Sequence, residues 1–149
     1  MILSLCAVLV VMTALWAVSV ALRDASIVDP FWGIGFVIVA AVAQAQSAGA
    51  RWWLVGMVVV WALRLSSYLA LRRRGQGEDF RYAAMRARHG RRFPLVSLFT
   101  VFLLQGAILW IVSWPVQVAL IEPGPLHGLL MAFGVVCWAV GLALETIAD

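Results

Sequence analysis

The sequence predicts an all-α protein, a polytopic membrane helix bundle of about five transmembrane helices with a short cytoplasmic amphipathic helix. Three observations predict it. Of 149 residues, 64% are hydrophobic and only 12% charged, whereas soluble domains carry roughly a quarter charged residues. Long apolar runs alternate with short polar stretches, as spans alternate with loops. The net charge of +4 comes from arginine alone, and most arginines crowd into one stretch between two apolar runs. Membrane topology explains that crowding, so the bilayer is the expected partner and no nucleic acid is expected.

Each span needs about 20 residues to cross a ~30 Å hydrocarbon core. The first is expected over about 2–22. It lacks a basic leading region and is longer than a signal peptide, so it reads as a retained span. After the turn from Arg23 to Pro30 comes a second span over about 31–47, short and softened by Gly33, Gly35, Gln44 and Gln46. The third is expected over about 52–71, with Trp52 and Trp53 as interfacial aromatics. The fourth is expected over about 94–114, ended by Pro115, and the fifth over about 126–147 after the turn from Ile121 to Pro125. The whole chain, 1–149, is expected to form a single transmembrane domain.

The segment 72–92 holds Arg72, Arg73, Arg74, Arg81, Arg86, Arg88, Arg91 and Arg92, which marks it as cytoplasmic. The expected location is therefore the cytoplasmic (inner) membrane, with the N-terminus outside and the C-terminus inside. Within that segment Asp79 can cap a short helix, stopped by Gly90, whose Phe80, Ala83, Ala84 and Ala87 share one face. Such a helix suits the inner leaflet, with arginines toward lipid phosphates.

Few residues offer chemistry. Arg64 lies ~12 Å up the third helix from Arg72. A membrane arginine needs a partner or water, and two readings stay open: an ion pair to Asp29 or Glu145, or a ligand-binding cation. Tyr68 shares its face. Gln105, mid-span, is either interhelical glue or a contact to a polar group of a substrate. Asp29 is either the N-cap of the second helix, with Pro30 as its first residue, or an acid at a cavity mouth. The run from Gly75 to Asp79 reads as a turn, since its two acids would repel phosphate. Cys6, Cys137, His89 and His127 stand apart from one another, so neither a disulfide nor a metal site is expected. Glu145 and Asp149 share a face at the negative end of the last helix, which calls for a cationic partner or a continuing chain. Continuation is the expectation: the N-terminal part of a longer protein.

Several strings together resemble a bacterial membrane family of unknown function within the steroid 5-alpha-reductase-like superfamily. They are Asp29-Pro30-Phe31-Trp32-Gly33, the run from Trp61 to Leu69 that holds Arg64 and Tyr68, the run from Arg72 to Tyr82, Gln105 in its apolar setting, and Leu144-Glu145-Thr146-Ile147-Ala148-Asp149. The resemblance implies an NADPH-dependent reductase acting on a carbonyl-conjugated carbon–carbon double bond in a lipid-like or steroid-like substrate. It implies that Glu145 and Asp149 contact NADPH, and that further cofactor contacts lie in a C-terminal half these 149 residues do not include, so little or no catalysis is expected of the chain alone. Such chemistry needs a donor to the carbonyl oxygen, for which Tyr68 and Arg64 are the candidates; Asp29 and Gln105 are the candidates for substrate contact. Two alternatives stand beside it: a membrane methyltransferase-like fragment using S-adenosylmethionine, and a small non-enzymatic membrane scaffold protein.

Overall fold

A computed structural model describes residues 1–47, 49, 51–122, 124 and 128–149. It is built from α1 (Ile2–Leu22), α2 (Val28–Ala45), α3 (Trp52–Arg72), α4 (Phe80–His89), α5 (Phe93–Ser97), α6 (Leu104–Val112), α7 (Trp114–Ile121) and α8 (Gly128–Ala148), with no strand among the described residues. Among the described residues, five helical runs are long and apolar enough to cross a membrane: Ile2–Leu22, Ala25–Ala45, Trp52–Arg72, Phe80–Val112 and Gly128–Ala148. The chain is thus the multi-pass helix bundle its hydropathy predicts.

Two boundaries differ from expectation. Asp29 is not an N-cap. Asp24 instead accepts from the Ser26 N–H to cap a 3₁₀ turn, Ala25–Ile27, which runs straight into α2 at Val28. Asp29 and Pro30 therefore lie inside the first turn of α2, where a helix has no use for the missing proline N–H. Pro115 likewise does not end the fourth run. The helix breaks at Ser113, and Pro115 sits in the first turn of α7, which carries the run on to Ile121. The expected start of the last span at Leu126, with Pro123, Pro125 and His127, lies outside the described residues.

α2 is the centre of the bundle and packs against α1, α3, α6 and α7. Gly33 is what allows its close approach to α3, since a Cβ there would lie 2.6 Å from both the Ala62 carbonyl oxygen and Ser66 Oγ. Val8, Met12, Val39, Val101, Phe102 and Leu109 form the larger core, and Ala40, Ala43, Val55 and Leu120 a second one. Between α5 and α6 the run widens into a π-helical segment, Leu98–Leu103, which packs on α1.

The remaining two helices are peripheral. α4 buries one residue, Tyr82, and leaves Phe80 79% exposed, with Ala83, Ala84 and Ala87 outward as well. The face expected to meet lipid is thus exposed, while Tyr82, Met85 and His89 turn inward. α8 is apolar up to its last turn, which carries Glu145 and Thr146, and buries none of its residues.

Candidate functional site

The first polar cluster forms around Arg64. One turn of α8 brings Glu145 and Asp149 to the same guanidinium. Arg64 Nη1 lies 3.0 Å from Glu145 Oε1, and Nη2 pairs with Asp149 Oδ2 and the Glu145 carbonyl oxygen. Of the two ion pairs open to Arg64, the one to Glu145 is formed and the one to Asp29 is not. Arg64 is also the cation that the acidic end of α8 requires. Nη1 is buried and has no hydrogen-bond acceptor, so its contact with Glu145 is purely ionic. The Tyr68 ring lies between two guanidiniums, 5.8 Å from Arg64 and 6.0 Å from Arg72, and its hydroxyl accepts from Arg72 Nη1 at 3.4 Å. Trp61 Nε1 donates to Glu145 Oε2 at 3.1 Å. A cavity of ≈ 280 Å³ opens here between Trp61, Trp138, Gly141, Leu142 and Glu145.

A second cluster joins three helices. The Tyr82 hydroxyl donates to Asp29 Oδ1 at 2.8 Å and accepts from Gln105 Nε2 at 3.3 Å, while Gln105 Oε1 accepts from Trp32 Nε1 at 2.6 Å. Both residues expected to meet substrate, Asp29 and Gln105, therefore meet each other through Tyr82. An aromatic line connects the two clusters. Trp32 packs on Phe36 with ring centroids 6.1 Å apart, and Phe36 meets Trp61 edge-on at 5.3 Å. Each terminal tryptophan donates its N–H into a different cluster.

Above the second cluster, at the arginine-rich end, charged side chains tie the loops together. Arg73 bonds the Ser26 carbonyl and pairs with Asp24 and Asp29; Arg81 pairs with Asp29 and Asp79. Glu78 takes two bonds from Arg86 and one from the Ala25 N–H. The Arg86 hydrogen bonds hold the Glu78 carboxyl below its usual value against the opposing effect of burial, and the Arg81 side chain does the same for Asp79. A cavity of ≈ 540 Å³ lies among Asp29, Arg72, Arg73, Glu78, Asp79 and Arg81. Among the described residues no group of three His, Cys, Asp or Glu side chains could hold a metal ion.

Tyr82, Trp32 and Trp61 are the site residues that single-residue reasoning misses. Trp32 reads as an interfacial ring and Tyr82 as one residue of a surface helix. The available signal was spacing: Trp32 and Phe36 stand four apart on α2, and Tyr82, Met85 and His89 form a helical stripe.

A bundle of five apolar helices with internal polar clusters defines a multi-pass membrane protein. More particularly, the chain belongs to the family described as protein of unknown function DUF1295, whose model matches residues 15–149. No curated protein and no solved structure matches it.

Proposed function

We propose that this chain forms the substrate side, and one edge of the cofactor site, of an NADPH-dependent membrane reductase acting on a carbonyl-conjugated carbon–carbon double bond in a lipid-like substrate. The observation that carries the reading is the convergence of Glu145 and Asp149, the pair that family resemblance assigns to the cofactor, on Arg64 at the end of an aromatic line. Carboxylates accept hydrogen bonds from hydroxyl and amide groups and repel phosphate, so this pair suits the ribose and carboxamide end of a nicotinamide nucleotide. NADPH, when bound, supplies the hydride. Arg64 and Tyr68 would donate to the carbonyl oxygen as negative charge develops on it, and the half-buried Trp61 and Trp138 would hold the apolar body beside them. The arginine-rich end faces the cytoplasm, where NADPH is available, and the membrane is the inner one.

The test uses the complete gene product in nanodiscs, with a lipid enone, NADPH or S-adenosylmethionine. Enone-dependent NADPH oxidation, and thermal stabilisation by NADPH, are expected. Stabilisation by S-adenosylmethionine alone would overturn the reading in favour of methyl transfer, and stabilisation by neither would leave a scaffold. A reporter fused within 72–92 should be active only in the cytoplasm.

A further inference from the structure

α4 is held to the bundle by a short set of ties, among them Arg81 to Asp29 at 3.1 Å and Arg86 to Glu78 at 2.7 Å. Tyr82 is its only buried residue, and the helix ends at Gly90, whose φ 52° and ψ −126° form a conformation that a Cβ resists. Yet the tip of Tyr82 sits in a polar socket built by other helices. Asp29 on α2 offers an acceptor, and Gln105 on α6 offers a donor. Trp32 fixes that arrangement, because its indole N–H can only donate and so holds the Gln105 carbonyl toward α2, leaving the amide nitrogen to face the socket. One acceptor and one donor converge on a single oxygen.

We propose that this socket is a binding site for the hydroxyl group of an apolar molecule, filled in this conformation by the protein's own Tyr82, with α4 as the lid that withdraws it. A hydroxyl is the group that satisfies both walls. A carbonyl would accept from Gln105 but turn a lone pair toward Asp29, and an ammonium would satisfy Asp29 but leave the Gln105 donor unmet. The body is apolar because the wall beside the socket is aromatic: Trp32, which bonds Gln105, packs on Phe36, and Phe36 meets Trp61. The outward apolar face of α4, with Phe80 at its start, lets the helix shift within a lipid surface without exposing new apolar area to water. The site goes beyond the reductase reading and does not depend on it.

The experiment is backbone amide exchange on the full chain in nanodiscs, with dodecanol or dodecane as the probe. Dodecanol should speed exchange over 80–89 about tenfold, the scale of one such hydrogen bond, while dodecane does not. Amides of 114–121 at the opposite end should be unmoved by either, which separates socket binding from a general effect on the bilayer. Tyr82→Phe keeps the ring and loses the hydroxyl, so 80–89 should exchange fast without any probe. Gln105→Leu should abolish the dodecanol response. Equal responses to dodecanol and dodecane, no response of the wild type to dodecanol, or slow exchange in Tyr82→Phe would each overturn the proposal. No readout involves NADPH or turnover, so its failure and that of the reductase reading are separable.

Discussion

Both ends of the bundle contain buried polar side chains, and they are built in opposite ways. At the end away from the arginine cluster, where Arg51 alone lies, Ser4 Oγ donates to Gln117 Oε1 at 2.6 Å, Trp110 Nε1 donates to Ser4 Oγ at 3.1 Å, and Gln117 Nε2 donates to Ser113 Oγ at 2.9 Å. These four side chains are neutral, and Ser4 and Gln117 are fully shielded. At the arginine-rich end, Asp29 alone serves Arg73, Arg81 and Tyr82, and a cavity lies beside it. A neutral knot that satisfies itself can sit inside an apolar bundle and fasten α1 to α7. Ionised groups are costly there unless paired or hydrated, so they mark the places where water or ligand enters. One end is neutral and sealed; the other is charged and lies beside a cavity.

The comparison breaks most visibly at Arg64. On the proposed reductase function, Arg64→Gln should lower enone turnover by ~10²–10³-fold, the cost of one donor to a developing oxyanion. Its unfolding midpoint in mixed micelles should fall as well, because Glu145 and Asp149 lose their cation. If turnover survives, Arg64 is only the counter-ion of α8. Gly33→Val attacks the packing between the two ends. The new side chain would strike the backbone of Ala62, so a loss of ~1–3 kcal/mol in unfolding free energy is expected, typical of overpacking. An unchanged midpoint would mean that α2 and α3 can part without cost. Gln117→Leu removes the centre of the neutral knot. It should cost about 1–2 kcal/mol of stability, the upper range for polar contacts in a bilayer, and leave kcat unchanged. A drop in kcat would show that the far end is not merely a fastening.

The fold was legible wherever length and apolarity alone decide it. A run of about 20 apolar residues has one stable destination, and the five spans follow. The helix ends were misread where proline is tolerated as well as obstructive: Pro30 and Pro115 both sit in first turns, which a residue-by-residue reading takes for a boundary. The Arg64 cluster was half legible. An arginine inside a span must find an acid, and Glu145 and Asp149 share a face that calls for a cation, but nothing local says that Arg64 on α3 is the cation that meets them both. The Tyr82 cluster was hidden. Its members stand on three helices, and their meeting depends on the reversal at Gly90 and on the π-helical segment 98–103, which alters the direction in which Gln105 points. Neither feature has a periodicity to read.

The smallest effect is the most specific. Glu78 ties α4 and the turn after α1 together, taking Arg86 Nε at 2.9 Å, Arg86 Nη2 at 2.7 Å and the Ala25 N–H at 2.9 Å. These bonds depress its pKa below the ordinary 4.5. A depressed carboxyl contributes stability that is complete above the unfolded value and is lost as pH falls through the folded one. The tie should therefore hold at neutral pH and weaken as pH drops below about 4.5. The change should be under ~1 kcal/mol, since Arg86 is partly exposed and the pair is screened. Asp79, ordinarily at 3.8 and also depressed, adds its loss at lower pH. Amide exchange over 80–89, referenced to 114–121, should rise on acidification in the wild type and rise much less in Glu78→Gln. The reference segment belongs to the neutral knot, where Ser113 and Gln117 have nothing to titrate. Should Glu78→Gln respond to acid as strongly as the wild type, the pH sensitivity of that end lies with other groups, and the contrast between a fixed neutral end and a responsive charged one loses its clearest support.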